Sequence, residues 1–107
     1  MRILHIGPVI VARSLLAKTI GLIGRPRAAA MLFPECSAIH TFFMLFPVDI
    51  VCLDRDHRIV RMIPGVRPWR VIAGGRRTES VLELPAGTAR RRGFEIGHRV
   101  EYVEKKR

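Results

Sequence analysis

Short apolar runs separated by glycine, proline or charged residues constrain the fold of this chain more than any other feature. Residues 48–53 (VDIVCL) and 78–84 (TESVLEL) each have the length of one β-strand and are rich in valine, leucine and isoleucine. With 9 glycines and 7 prolines in 107 residues, turn signals recur before a long helix can form. Strands that follow one another through turns favour antiparallel sheets over a parallel α/β sheet. We therefore expect a mainly β fold, a compact antiparallel β-sandwich or partly open β-barrel with one or two short helices.

The turn residues also predict the individual elements. Ser14 is a good N-cap for a helix reaching about Leu22, and a second short helix is expected between Pro85 and a left-handed cap at Gly93. The Gly7-Pro8 pair is expected to separate two strands, and Pro64-Gly65 to end another. Strands are expected over residues 2–6, 9–12, 39–43, 48–53, 58–63, 70–72, 78–84 and 99–103, with a buried run at 28–33.

The length and the two cysteines limit the kind of protein. A chain of 107 residues predicts a single domain, 1–107, that ends in a basic tail at 104–107. Two cysteines do not make a disulfide scaffold. Pro8 and Arg13 interrupt the apolar start, which is a poor signal peptide and too short to span a membrane. We expect a cytoplasmic monomer or homodimer with free thiols.

The charge is strongly basic. Lys and Arg number 19 against 9 Asp and Glu, a net charge of +10. Such an excess is typical of proteins with an acidic partner, although a merely soluble surface rich in arginine gives the same count. One alternative function is therefore nucleic-acid binding through the arginines of the second half. Residues 82–103 also resemble the strand–proline–helix–glycine–strand order of swapped-hairpin transcription regulators. The arginines proposed for this role are Arg76, Arg77, Arg90, Arg91 and Arg92.

An acidic residue stands within the most apolar strand. Because side chains alternate faces along a strand, Asp49 shares a face with Val51 and Leu53 and is expected to be buried or to face a cleft. A buried carboxylate needs a partner. The partners open to it are His40, Arg67, Arg70 or backbone amides near the bend at residues 46–47, so its role is either structural or ligand-binding.

We expect a non-catalytic binding module with a small polar pocket. Its ligand would be a small polar molecule, a carbohydrate or a peptide of a protein partner. Trp69 would form a wall of the pocket, although a tryptophan that packs over the barrel end would have the same sequence context. Glu83 has a second interpretation, a carboxylate that stabilises a helix N-terminus. The residues predicted to bind ligand are His40, Thr41, Asp49, Trp69 and Glu83.

Other chemistry finds less support in the sequence. The spacings Cys36-x3-His40 and Cys52-x4-His57 match no standard zinc site, and we predict neither a metal nor a cofactor. No serine has the context of a nucleophile, so no catalytic residue is assigned. A hydrolase that uses His40 and Asp49 stays open as a further alternative.

Several motifs in order resemble one known family. The chain reads Ala30-Met31-Leu32-Phe33, then His40-Thr41 with Met44, then Pro47-Val48-Asp49, then residues 82–87 as LELPAG. In this order they resemble domain-of-unknown-function family 192, an uncharacterised region of bacteria and archaea, over about residues 17–103. His98 departs from the family pattern, which has an acidic residue there. The resemblance implies a compact, mainly β fold and implies no reaction.

Overall fold

The chain folds into a curled sheet with one short helix in the described region. The computed structural model describes residues 2–12, 30–41 and 46–105, without the side chain of His40. The mainly β, half-barrel architecture confirms the expected fold class. The strands are β1 (Ile3–Val11), β2 (Met31–Pro34), β3 (Ala38–His40), β4 (Val48–Leu53), β5 (Ile59–Val66), β6 (Val71–Ala73), β7 (Ser80–Pro85) and β8 (Arg99–Glu104), and the helix is α1 (Thr88–Arg91).

Six strands form the main sheet in the order β5-β4-β7-β2-β1-β8. β1 runs parallel to both of its neighbours, whereas the pairs from β2 to β5 are antiparallel. The sheet curls until its two edge strands meet at one point, where an antiparallel bridge joins Arg58 to Arg99. There the Ile59 N–H donates to the His98 carbonyl at 2.8 Å, and the Val100 N–H donates to the His57 carbonyl at 2.9 Å. The barrel is therefore closed at this point.

The curled sheet is apolar on both faces. One buried cluster includes residues from all six strands, such as Val51, Leu82 and Val100, which places it on the concave face. A second cluster, with Ile50 and Phe33, lies on the other face. Ile39 of the two-stranded β3–β6 sheet packs into this second cluster. All six residues of β4 are buried because both of its faces are covered, and this explains its nearly unbroken apolar sequence.

Two expected strand breaks are wrong. β1 continues through Gly7-Pro8, with a register shift between His5 and Pro8. Proline has no N–H to donate, and Gly7 takes a positive φ of 77°, so the strand distorts there without ending. β5 likewise continues through Pro64-Gly65, which form a bulge because both residues stand opposite Asp49 of β4.

Two predicted turn features are found, and one predicted helix cannot be compared with the described residues. The predicted hairpin turn after β4 is confirmed, and so is the left-handed cap at Gly93, whose φ is +71°. The helix expected from Ser14 to about Leu22 lies outside the described residues.

Replacing the bulge glycine tests the geometry at β5. Gly65 has a φ of +58°, and a Cβ added there would meet no atom within 4 Å. We expect Gly65→Ala to lower the free energy of unfolding by about 1 kcal/mol through backbone strain alone. Gly65→Asn should lower the free energy of unfolding by less, because asparagine tolerates the left-handed conformation. Urea unfolding measures both, and an alanine variant as stable as the parent would contradict the assigned bulge.

Candidate binding site at helix α1

Asp49 joins three elements through its carboxylate. Oδ1 accepts a hydrogen bond from the Gly65 N–H at 2.9 Å, and Oδ2 accepts one from the Ala89 N–H at 3.0 Å. The side chain is only 1% exposed. The expected burial is therefore found, and the partners are backbone amides of the bulge and of α1. Of the partners left open by the sequence, neither Arg67, Arg70 nor the amides at the 46–47 bend bind this carboxylate.

The contact with Ala89 caps the helix from outside its own sequence. The N-cap residue of α1 is Gly87, which has no side chain to cap with, and the first turn contains no acidic residue. Asp49 supplies the missing acceptor and a negative charge near the helix N-terminus. α1 is thereby fixed between β5 and β1.

Glu83 lies on the opposite face of the sheet from Asp49. In the β4–β7 register Asp49 stands opposite Leu84, whereas Glu83 stands opposite Ile50. Directly opposite residues share a face and successive residues alternate. The two carboxylates are both buried but separated by the sheet, so one pocket containing both is not formed.

The remaining predicted ligand-binding residues lie at the β3–β6 sheet. The backbone of His40 pairs with Val71, while its side chain lies outside the described part of the structure. Thr41 is fully buried, and its hydroxyl donates to the Arg67 carbonyl at 2.7 Å. Trp69 is 59% exposed and has a φ of +66°. The structure therefore does not gather these residues around Asp49.

The five arginines of the nucleic-acid alternative form two groups. Arg76 and Arg77 precede β7, and Nη2 of Arg77 lies 3.9 Å from Oδ2 of Asp54. The other three follow β7, on α1 and just after it. At about 3.3 Å per residue, the ends of the six-residue β7 are roughly 17 Å apart. The arginines therefore do not form one continuous cluster.

A cleft of about 510 Å³ opens between α1 and β1. Arg92 borders it, and its Nη2 donates to the His5 carbonyl at 2.8 Å. Arg91 borders it as well, with Nη2 3.4 Å from the Thr88 hydroxyl. Sequence reasoning assigned these two arginines to nucleic acid and missed the cleft, because its floor comes from distant strands. The lining residues are Ile6, Pro8, Ala30, Leu84, Pro85, Thr88, Arg91 and Arg92.

Among the described residues, the two arginines at this cleft have no carboxylate partner. All nine acidic side chains of the chain lie in residues 2–12, 30–41 and 46–105, and within these ranges no carboxylate is at ion-pair distance from Arg91 or Arg92. The cleft therefore has a positive rim over a mostly apolar floor.

A second cleft, of about 300 Å³, lies on the other side of α1 against β5. Met62, Ile63 and Phe94 make it more apolar than the first, and Arg90 borders it. Across the described part of the chain, no three His, Cys, Asp or Glu side chains come together in a metal-binding group.

Cys52 is buried on the convex face, and burial raises the pKa of its thiol above the ordinary value of 9.0. A hydrogen bond with Thr78 and the charge of Arg61 oppose that rise only in part. Cys36 is half-buried.

Comparison with known proteins identifies the family. A family model described as "Uncharacterized ACR", that of domain-of-unknown-function family 192, matches residues 5–102. The chain belongs to domain-of-unknown-function family 192. The expected resemblance is confirmed, and it begins earlier in the chain than residue 17. No activity is established for family 192 by this match.

The chain is similar to a curated archaeal protein in sequence and to two bacterial proteins in fold. A UPF0127 protein of Pyrococcus abyssi is 28% identical over 103 residues, covering 91% of this chain and 87% of its own. A crystal structure of a protein of unknown function from Novosphingobium aromaticivorans has a TM-score of 0.70 at 24% identity, covering 81% of this chain and 69% of its own. A crystal structure from Sinorhizobium meliloti, described provisionally as a transcription regulator, has a TM-score of 0.72 at 24% identity. The match covers 83% of this chain and 76% of its own. At this identity both likenesses show the fold alone.

Membrane insertion through a helix finds no support in the described ranges, where no helix combines the length and apolar character that crossing a bilayer requires.

Removing the Asp49 carboxylate should destabilise the fold. We expect Asp49→Ala to lower the free energy of unfolding by about 3 kcal/mol, because the buried Ala89 N–H and the part-buried Gly65 N–H both lose a charged acceptor. Asp49→Asn keeps one acceptor oxygen, so its free energy of unfolding should lie between those of the parent and Asp49→Ala. Urea unfolding measures the loss, and faster hydrogen exchange at the Ala89 amide should accompany it. Asp56→Ala, at an exposed turn position, is the control and should change stability by less than about 0.5 kcal/mol.

The two thiols should differ in reactivity. At pH 8 we expect Ellman's reagent to modify Cys36 in the native protein and Cys52 only after unfolding, because Cys52 is buried and protonated. Since the folded state holds the Cys52 proton more tightly than the unfolded chain, stability should fall as the pH rises above 9.0. Cys36→Ser should abolish the native reaction, and rapid reaction in that variant would contradict the burial of Cys52.

Proposed function

We propose that this protein is a non-catalytic binding module for a small anionic molecule with an apolar portion, held in the cleft between α1 and β1. The observation that carries this proposal is the pair of guanidinium groups, Arg91 and Arg92, on the rim of an apolar cleft of about 510 Å³. Small-molecule pockets typically measure about 300–1,000 Å³.

The arginines suit a carboxylate or a phosphate. A guanidinium group offers five N–H donors in a planar fork that matches these anions bidentately. Arg92 donates from Nη2 to the His5 carbonyl at 2.8 Å and from Nη1 to the Ile6 carbonyl at 3.4 Å. These two bonds hold its guanidinium in position and leave its other N–H donors available for an anion. Because no carboxylate of the described residues neutralises Arg91 or Arg92, an incoming anion need not displace an internal partner.

The floor of the cleft suits an apolar group. Leu84 and Ile6 are buried residues of the concave cluster, and Pro8 and Pro85 add apolar surface beside them. Covering such a surface removes it from water and is favourable by about 25 cal/mol per Å². The ligand therefore has one anionic end and one apolar end.

The cleft supports binding better than catalysis. Among the described residues that line it, Thr88 is the only hydroxyl, and no His, Cys, Asp or Glu stands beside it as a base. The hydrolase alternative also loses support at Asp49, whose two oxygens are both engaged by backbone amides.

Alkyl carboxylates of increasing length test the proposal. We expect octanoate to raise the melting temperature more than hexanoate, with roughly tenfold tighter binding for two added methylene groups. Octanol, which has the same chain without the charge, should stabilise much less. Arg91→Gln should weaken octanoate binding by roughly tenfold through loss of a charge-assisted hydrogen bond.

Arg55→Gln is the matched control, because Arg55 is exposed at the β4–β5 turn, at the end of β4 away from α1. It removes the same charge and should leave octanoate binding unchanged. Equal stabilisation by octanol and octanoate would show that the anionic group does not contribute to binding. Unchanged octanoate binding by Arg91→Gln would show that the ligand does not bind in this cleft.

A further inference from the structure

The loop between β5 and β6 displays the only tryptophan of the chain. Trp69 is 59% exposed and stands between Arg67 and Arg70, both exposed. Val71, at the start of β6, is 68% exposed and extends the apolar surface. This cationic and aromatic surface, here called the Trp69 loop, is formed by residues 67–71.

A buried residue holds the Trp69 loop in place. The Thr41 hydroxyl donates to the Arg67 carbonyl at 2.7 Å and accepts from the Arg70 N–H at 2.8 Å. The Thr41 N–H donates to the Arg70 carbonyl at 2.8 Å, and the Thr41 carbonyl accepts from the Trp69 N–H at 3.1 Å. One fully buried threonine thus fixes three residues of the loop through four hydrogen bonds.

The loop maintains an uncommon conformation. Trp69 has a φ of +66°, in the left-handed region that bulky residues rarely adopt. Strain of this kind persists only when surrounding bonds impose it, and it concentrates at functional positions. Here the bonds to Thr41 impose it, and the consequence is an ordered loop with an exposed indole.

We propose that the Trp69 loop binds single-stranded nucleic acid, with one base stacked on the indole of Trp69 and the neighbouring phosphates paired with Arg67 and Arg70. Stacking on an exposed aromatic ring beside cations is how many proteins hold single strands without reading their sequence. This site lies on a different part of the fold from the α1 cleft and does not depend on the proposed small ligand.

The charges favour a nucleic acid over a neutral carbohydrate, which also stacks on tryptophan. The side chains of residues 67–71 include two guanidinium groups and neither a carboxylate nor an amide with which to fix sugar hydroxyls. The net charge of +10 adds long-range attraction for a polyanion.

The single tryptophan makes its own fluorescence the reporter. We expect an oligothymidylate of about ten nucleotides to quench Trp69 emission in a saturable way, with affinity that falls as salt rises. In anisotropy with a labelled oligothymidylate, Trp69→Ala should bind at least about fivefold more weakly. Trp69→Phe, which keeps a ring, should recover part of this loss.

Salt dependence tests the two arginines. Replacing Arg67 and Arg70 together by glutamine should reduce the slope of log affinity against log salt by about 1.4, since each phosphate contact on a single strand contributes about 0.7. The matched control replaces Arg55 and Arg58, exposed residues at the other end of β5, and should leave the slope unchanged.

Four results would overturn the proposal. The first is an absence of quenching by oligothymidylate at low salt. The second is equal affinity of Trp69→Ala and the parent, and the third is an equal loss of slope in the control pair. Quenching by maltohexaose in place of oligothymidylate would identify a carbohydrate platform and would likewise overturn it.

Discussion

The two hydrogen bonds accepted by Asp49 hold together the part of the structure on which the clefts depend. A helix of four residues is not stable by itself, because nucleation costs more than one turn returns. α1 persists because Asp49 caps it from β4, Ala89 and Phe94 pack into the concave core, and Arg92 reaches the carbonyls of β1. The same carboxylate accepts the Gly65 N–H of the β5 bulge. Its burial is tolerated because both oxygens are satisfied.

The placement of α1 follows from incomplete closure of the sheet. β5 and β8 meet only near Arg58 and Arg99, and beyond that point they separate. The segment after β7 enters the gap between β5 and β1, and a cleft remains on each side of it. The arginines of this segment border both clefts, so the positive charge is concentrated at the least tightly closed part of the barrel.

The two proposed surfaces differ in shape and in their means of support. The α1 cleft is concave and is positioned by a buried carboxylate on the inner face of the sheet. The Trp69 loop is an exposed surface and is positioned by Thr41, beside the small sheet on the outer face. In both places a single buried polar side chain satisfies backbone groups of a connecting segment, and exposed arginines stand beside it. The curled sheet separates the two sites.

The sequence by itself determined the fold class, the span of β4, the hairpin after it, the left-handed glycine at Gly93 and the burial of Asp49. These follow from local properties, namely alternation, turn chemistry and the cost of burying charge. Only the tertiary structure decided that β1 lies parallel between β2 and β8, that Asp49 and Glu83 face opposite sides, and that Ile6 and Leu84 meet under Arg91 and Arg92. Strand pairing and register bring together residues that are far apart in the chain, and no local pattern encodes which partner a strand will find. The local pattern at Pro64-Gly65 was misleading for the same reason. Proline and glycine are typical of both strand breaks and bulges, and only the pairing with β4 places Asp49 where it accepts the Gly65 N–H.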